Sequence, residues 1–127
     1  MKTALQNVTE QIDELLAECE PDGEDLNEIH EFIANFVGSD EVLRPTHERL
    51  IAAGLTGDPP DGGGWLYMHV WRPLTRSSVI ELAEQLDAVA HETRCLFELL
   101  DVTLLSGDRR GHCIILGVCD GEAIQNA

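Results

Sequence analysis

The chain has 127 residues and carries 24 Asp and Glu against 8 Lys and Arg, a formal net charge of −16. That balance argues against phosphate-directed nucleic-acid binding and against an anionic membrane surface, because both need clustered cations. A hydrophobic content of 43% is too high for a disordered acidic tail, no apolar run is long enough for a membrane span, and no basic segment followed by an apolar stretch opens the chain. The expectation is one cytoplasmic domain over 1–127, with no membrane partner and no direct contact to nucleic acid.

The charge is uneven. Residues 1–61 hold 15 acids and 3 bases, residues 62–127 hold 9 acids and 5 bases, and no Lys or Arg occurs between Thr3 and Leu43. An acidic surface kept for solubility or for a salty cytoplasm is one reading. The functional reading is an acidic patch for a basic partner.

In chain order, Leu5, Val8, Ile12, Leu15, Leu16 and Cys19 recur at helical steps over 4–19, with Glu10, Asp13, Glu14 and Glu18 on the opposite face. Pro21-Asp22-Gly23 stops this helix. A second helix is expected from Asp25, with Glu28 at capping-box spacing and Leu26, Ile29, Ile33, Phe36 and Val37 as its apolar face. A third occupies about 40–53, with Pro45 early in it and Gly54 at its end. These elements form an acidic helical part, 1–54. The loop 55–64, with Pro59-Pro60 and Gly62-Gly63-Gly64, divides it from an α+β part, 65–120. The loop precedes a strand and lacks a Lys-Ser/Thr ending, so it is not a phosphate-binding loop.

Residues 65–71 alternate, placing Trp65, Tyr67, His69 and Trp71 on one face and Leu66, Met68 and Val70 on the other. A capping box at Ser78 and Glu81 opens a helix over 79–93. Strands follow at about 96–105 and 112–119, joined by a hairpin loop. The last strand is apolar on both faces, which suggests a covered position. A helix between the first two of these strands makes them parallel if they share a sheet. The fold class is α+β: N-terminal helices, then a ferredoxin-like strand-helix-strand-strand unit with helices on one face.

Segment Ser39-Asp40-Glu41 through Ala52-Ala53-Gly54, an acidic helix start closing on Gly, and Trp65-Leu66-Tyr67 followed by Glu81-Leu82-Ala83-Glu84-Gln85-Leu86, resemble the ribonuclease E inhibitor family, also called regulator of ribonuclease activity B. The resemblance covers about residues 26–119 and rests on pattern and element order. It departs at Leu99-Leu100-Asp101-Val102, where the family has Asp-Gly-Trp. It implies a non-enzymatic regulator whose partner is a ribonuclease.

The residues themselves offer no catalytic string. Cys19, Cys95, Cys113 and Cys119 form no CxxC pair, and without a secretion signal they read as free thiols and small buried hydrophobes. His112 and Cys113 are adjacent in a strand and point to opposite faces, so no metal site or cofactor is expected. Asp101 interrupts an apolar strand, where a carboxyl is either a buried acid with a raised pKa or a solvent-facing edge residue.

The aromatic row is more informative, since the chain has only six aromatic residues. It is either core beneath the helices or an anchor for a protein partner. Trp71, followed by Arg72-Pro73, is expected near solvent on a functional surface, and Trp65 is expected to be mainly structural.

The resulting expectation is an acidic regulator that inhibits a nucleic-acid-processing protein by offering carboxylates to its Arg and Lys. The contacts assigned to it are Glu10, Asp13, Glu14, Glu18, Glu24, Glu28, Glu31 and Trp71. A phage-type nucleic-acid mimic or an immunity protein against a nuclease shares this mechanism. The rivals are a small enzyme or ligand-binding domain with a cleft near His69 and Asp101, and a homodimer formed by the N-terminal helices.

Overall fold

The computed structural model describes residues 2–119. Three helices and four strands run in the order α1 (Ala4–Cys19), β1 (Ile29–Val37), α2 (Asp40–Ala52), β2 (Trp65–Pro73), α3 (Arg76–Thr93), β3 (Leu96–Thr103) and β4 (Cys113–Val118). The strands form one antiparallel-paired sheet in the order β2-β1-β3-β4. This is the expected α+β class.

Helix α1 forms where its apolar spacing placed it. Val8, Ile12, Leu15 and Cys19 are buried, and Thr3 caps it by accepting the Gln6 N–H while the Gln6 side chain accepts the Thr3 N–H. Residues 25–38, expected as a second helix, are instead the turn and strand β1. Positions 29, 33, 36 and 37 fit a helical stripe, but His30, Phe32, Ala34 and Phe36 are buried on one side of an extended chain while Ile29, Glu31 and Ile33 lie on the other. A period of two captures more apolar burial here than a period of 3.6. Asp25 makes a turn, its Oδ1 accepting the Asn27 N–H, rather than capping a helix.

The placement of β1 revises the topology. Strands β2 and β3, joined through α3, are parallel to one another but not adjacent, because β1 lies between them. The acidic first half of the chain therefore contributes a central strand. Helix α3 starts at Arg76, with Thr75 accepting the Ser78 N–H, three residues before the expected start at 79. β4 is an edge strand, not a covered one; Ile115 and Val118 stand exposed.

The helices pack on one face of the sheet, α1 over β4 and β3, and α3 over β3 and β2, with α2 beside α3 and β2. Phe32, Phe36, Leu43, Leu50, Leu66, Met68, Leu82, Leu86 and Leu100 fill the space between the layers. Phe36 and Phe97 stack with ring centroids 5.5 Å apart. Gly117 lets α1 sit down on β4: a Cβ there would lie 2.8 Å from the Val8 backbone nitrogen and 3.0 Å from the Ala4 carbonyl oxygen.

Candidate functional site: the open face of the sheet

Among the described residues, no helix covers the second face of the sheet. Strand pairing orders its side chains in rows across the strands. Trp65, Val37 and Leu96 form one row; Tyr67, Asn35, Leu99 and Val118 the next; His69, Ile33, Asp101 and Ile115 the third; Trp71 stands beside Glu31. Trp65, Tyr67 and Trp71 are 46%, 54% and 48% exposed. Of the eight large hydrophobic residues exposed among the described ones, six lie here: Ile29, Trp65, Tyr67, Trp71, Ile115 and Val118. The aromatic row is therefore not core, and Trp65 is as solvent-facing as Trp71.

The polar groups on this face are acidic. None of its strand positions is Lys or Arg. Glu31 meets His69 at 3.1 Å, and Glu98 accepts from Asn35 Nδ2 at 2.8 Å. Two buried side-chain oxygens lack a hydrogen-bond partner among the described residues, Asn35 Oδ1 and Asp101 Oδ1, and both residues belong to this face. Burial raises the Asp101 carboxyl above the usual carboxylate range, the neighbouring Glu31 charge adds to the rise, and His69 opposes it. Asp101 is thus half-buried, with one carboxyl oxygen enclosed, and lies between the two alternatives that the interruption of an apolar strand left open. His69 and Asp101 share a row but are separated by Ile33.

The loop 55–64 forms a wall along this face. Thr56 pairs with His69 on the free edge of β2, His47 Nε2 meets the Gly57 carbonyl at 2.9 Å, and Asp40 Oδ1 accepts the Gly62 N–H. Gly57 is required at the closest approach, since a Cβ would lie 2.4 Å from the Tyr67 carbonyl oxygen. Beside this wall opens a groove of about 590 Å³, lined by Asp58, Pro59 and Asp61 of the loop, Trp65, Tyr67 and His69 of β2, and Ile33 of β1.

The acids assigned from the sequence do not form one site. Glu10, Asp13, Glu14 and Glu18 are exposed on α1, in the helical layer on the opposite side of the sheet from Trp71. Three of them face cations: Glu10 meets Lys2 at 2.6 Å, Asp13 meets Arg76 at 3.1 Å, and Glu18 lies 3.9 Å from Arg109. Glu28 is exposed in the turn before β1, and Glu31 lies on the open face.

Glu24 is not a surface contact at all. Its side chain is buried and accepts the backbone N–H groups of Leu105, Ser106 and Gly107, with His30 Nε2 at 2.7 Å. Burial pushes its pKa up, but these donors outweigh burial and hold the carboxyl at about 2. The carboxylate ties the α1–β1 turn to the loop after β3.

Among the described residues, no group of three or more His, Cys, Asp or Glu is placed to share a metal ion, and no helix is long and apolar enough to cross a membrane. Cys19 and Cys119 are buried, whereas Cys113, expected inside, is exposed on the edge strand. Trp71 and Glu31 are the two assigned contacts that meet on the open face. Sequence reasoning missed Asp58, Asp61 and Ile115 as surface features, and left Tyr67 open between core and anchor. The alternation of 65–71 carried the signal for Tyr67, whereas the position of the loop against β2 depends on the fold.

No known family, curated protein or solved structure matches this chain.

Proposed function

We propose that this protein is a non-enzymatic regulator whose open sheet face binds a basic surface of a nucleic-acid-processing protein and inhibits it by occupying the Arg and Lys side chains that hold phosphates. One observation carries the reading: exposed aromatic and aliphatic side chains are concentrated on a face whose charged groups are carboxylates and one histidine. Large exposed apolar patches mark interaction sites, and Trp and Tyr dominate interface hot spots. Carboxylates around such anchors select a cationic partner and reject nucleic acid. The acids of α1, on the other side, act at longer range by raising the rate of encounter.

The resemblance of 39–54, 65–67 and 81–86 to the ribonuclease E inhibitor family makes a ribonuclease the first partner to test. The test is capture from native extract at low and moderate salt, followed by an RNA-cleavage assay of the captured protein with increasing amounts of this chain. The expected result is a basic nuclease whose cleavage falls as the chain is added and whose binding RNA competes away. Unchanged cleavage, or binding indifferent to RNA, overturns the reading.

A further inference from the structure

We propose that the groove between the Gly/Pro loop and β2 is a receptor for an arginine side chain presented by a basic protein segment. This deepens the reading above and rests on it for the identity of the partner, but the chemistry of the groove stands on its own.

The lining has three components. Asp58 and Asp61 place two carboxylates on the loop wall, and no Lys or Arg lines the groove to neutralise them. Trp65 and Tyr67 place two aromatic side chains on the strand wall, both about half exposed. Ile33, apolar, and His69 complete the lining. An anion is repelled by this set, and a neutral apolar ligand would desolvate the carboxylates without compensation. A cation satisfies both walls, since aromatic faces attract cations and carboxylates pair with them.

Guanidinium fits better than ammonium. It is planar, stacks on an aromatic ring while its edge donates hydrogen bonds, and holds a carboxylate through two parallel N–H groups. Ammonium is a more strongly hydrated point charge and gains less from a stacked site. The groove is also prepared in advance. Its wall is fixed by the Thr56–His69 bridge and by the His47 and Asp40 contacts, so little ordering opposes binding.

The test uses the full chain and end-blocked tetra-arginine, tetra-lysine and tetra-citrulline peptides, followed by NMR. The two tryptophan indole N–H signals are assigned with Trp71→Phe. Tetra-arginine is expected to shift the Trp65 indole and the amides of 58–63 saturably. Tetra-lysine is expected to bind at least fivefold more weakly, and uncharged tetra-citrulline to give no saturable shift. Asp58→Asn with Asp61→Asn is expected to weaken tetra-arginine binding at least tenfold. Asp61 Oδ1 accepts the Gly63 N–H, and the carboxamide put there by Asp61→Asn retains an oxygen for that bond, so dispersed spectra should show the loop intact.

Equal affinity for lysine and arginine, binding unaffected by the double Asn variant, or shifts confined to α1 would each overturn the proposal. Because the peptides need no natural partner, failure to capture a nuclease leaves this result standing. A silent groove, in turn, leaves the nuclease assay to be decided on its own.

Discussion

The two faces of the sheet are built from the same strands and differ in their surroundings. On β1, Phe32, Ala34 and Phe36 turn into the helical layer and are fully buried, while Ile29 and Ile33 stand on the other side without a helix over them. On β2, Leu66, Met68 and Val70 are buried and Trp65, Tyr67 and Trp71 are open. A sheet with one solvated face ordinarily alternates apolar with polar residues. Here the solvated face carries the largest aromatic side chains in the chain. Apolar character alone therefore does not divide core from surface in this molecule; the position of the helices does, and the uncovered aromatic row with acidic neighbours is what the proposed binding surface rests on.

That contrast can be broken most forcefully from the covered side. Phe36→Ala should cost about 3–5 kcal/mol, through lost burial and the cavity left behind, whereas Tyr67→Ala or Trp71→Ala should cost less than about 1 kcal/mol. Denaturant melts on the variants decide it, and equal large losses would mean that the open face is covered in solution.

The Glu24 latch comes next. Its folded pKa of about 2 lies below the ordinary 4.5, so its contribution is complete above pH 4.5 and is lost as the pH falls toward 2. A shift of that size corresponds to about 3 kcal/mol at neutral pH. Glu24→Gln should remove about 2–3 kcal/mol of stability at pH 7 and flatten the acid limb of a pH-dependent melt. A variant that melts as wild type would show that the Leu105–Gly107 contacts are dispensable. Gly117→Ala, which forces α1 away from β4, should cost about 1–3 kcal/mol, read by the same melts.

The smallest effect in stability belongs to Asp101. Its raised pKa means the folded state holds the proton more tightly than the unfolded chain does. Stability therefore rises as the pH falls through that raised value, and the charged form is a burden at neutral pH. Asp101→Asn should raise the melting temperature slightly at pH 7 and weaken this dependence. If the carboxylate serves the partner, the same variant should bind less well while melting higher. A fall in melting temperature would contradict the burial account.

Sequence periodicity was sufficient where a single face is buried, as in α1 and β2. It failed over 25–38 because Leu26, Ile29, Ile33, Phe36 and Val37 also satisfy helical spacing, and a short apolar run is ambiguous between the two periods. It failed at β4 because an edge strand bearing Ile115 and Val118 on an exposed face reads like a buried one. The acids of α1 were legible as exposed, and their distance from Trp71 was not, since it depends on which side of the sheet α1 packs. Glu24 looked like one more member of an acidic run; only the folded chain brings Leu105, Ser106 and Gly107 to it. The groove depends on a loop laid beside β2, a contact between segments that local pattern does not encode.

The central claim is that the open face, rather than the acidic face of α1, carries the binding energy. The most direct measurement compares association and dissociation rates of the captured partner with three proteins: the wild type, Tyr67→Ala with Trp71→Ala, and α1 with Gln at 10, 13, 14 and 18. The account predicts at least a thirtyfold loss of affinity for the aromatic variant, about 2 kcal/mol, expressed in faster dissociation. For the α1 variant it predicts slower association and a flatter salt dependence, with dissociation little changed. Wild-type dissociation from the aromatic variant, together with release by the α1 variant, would contradict it.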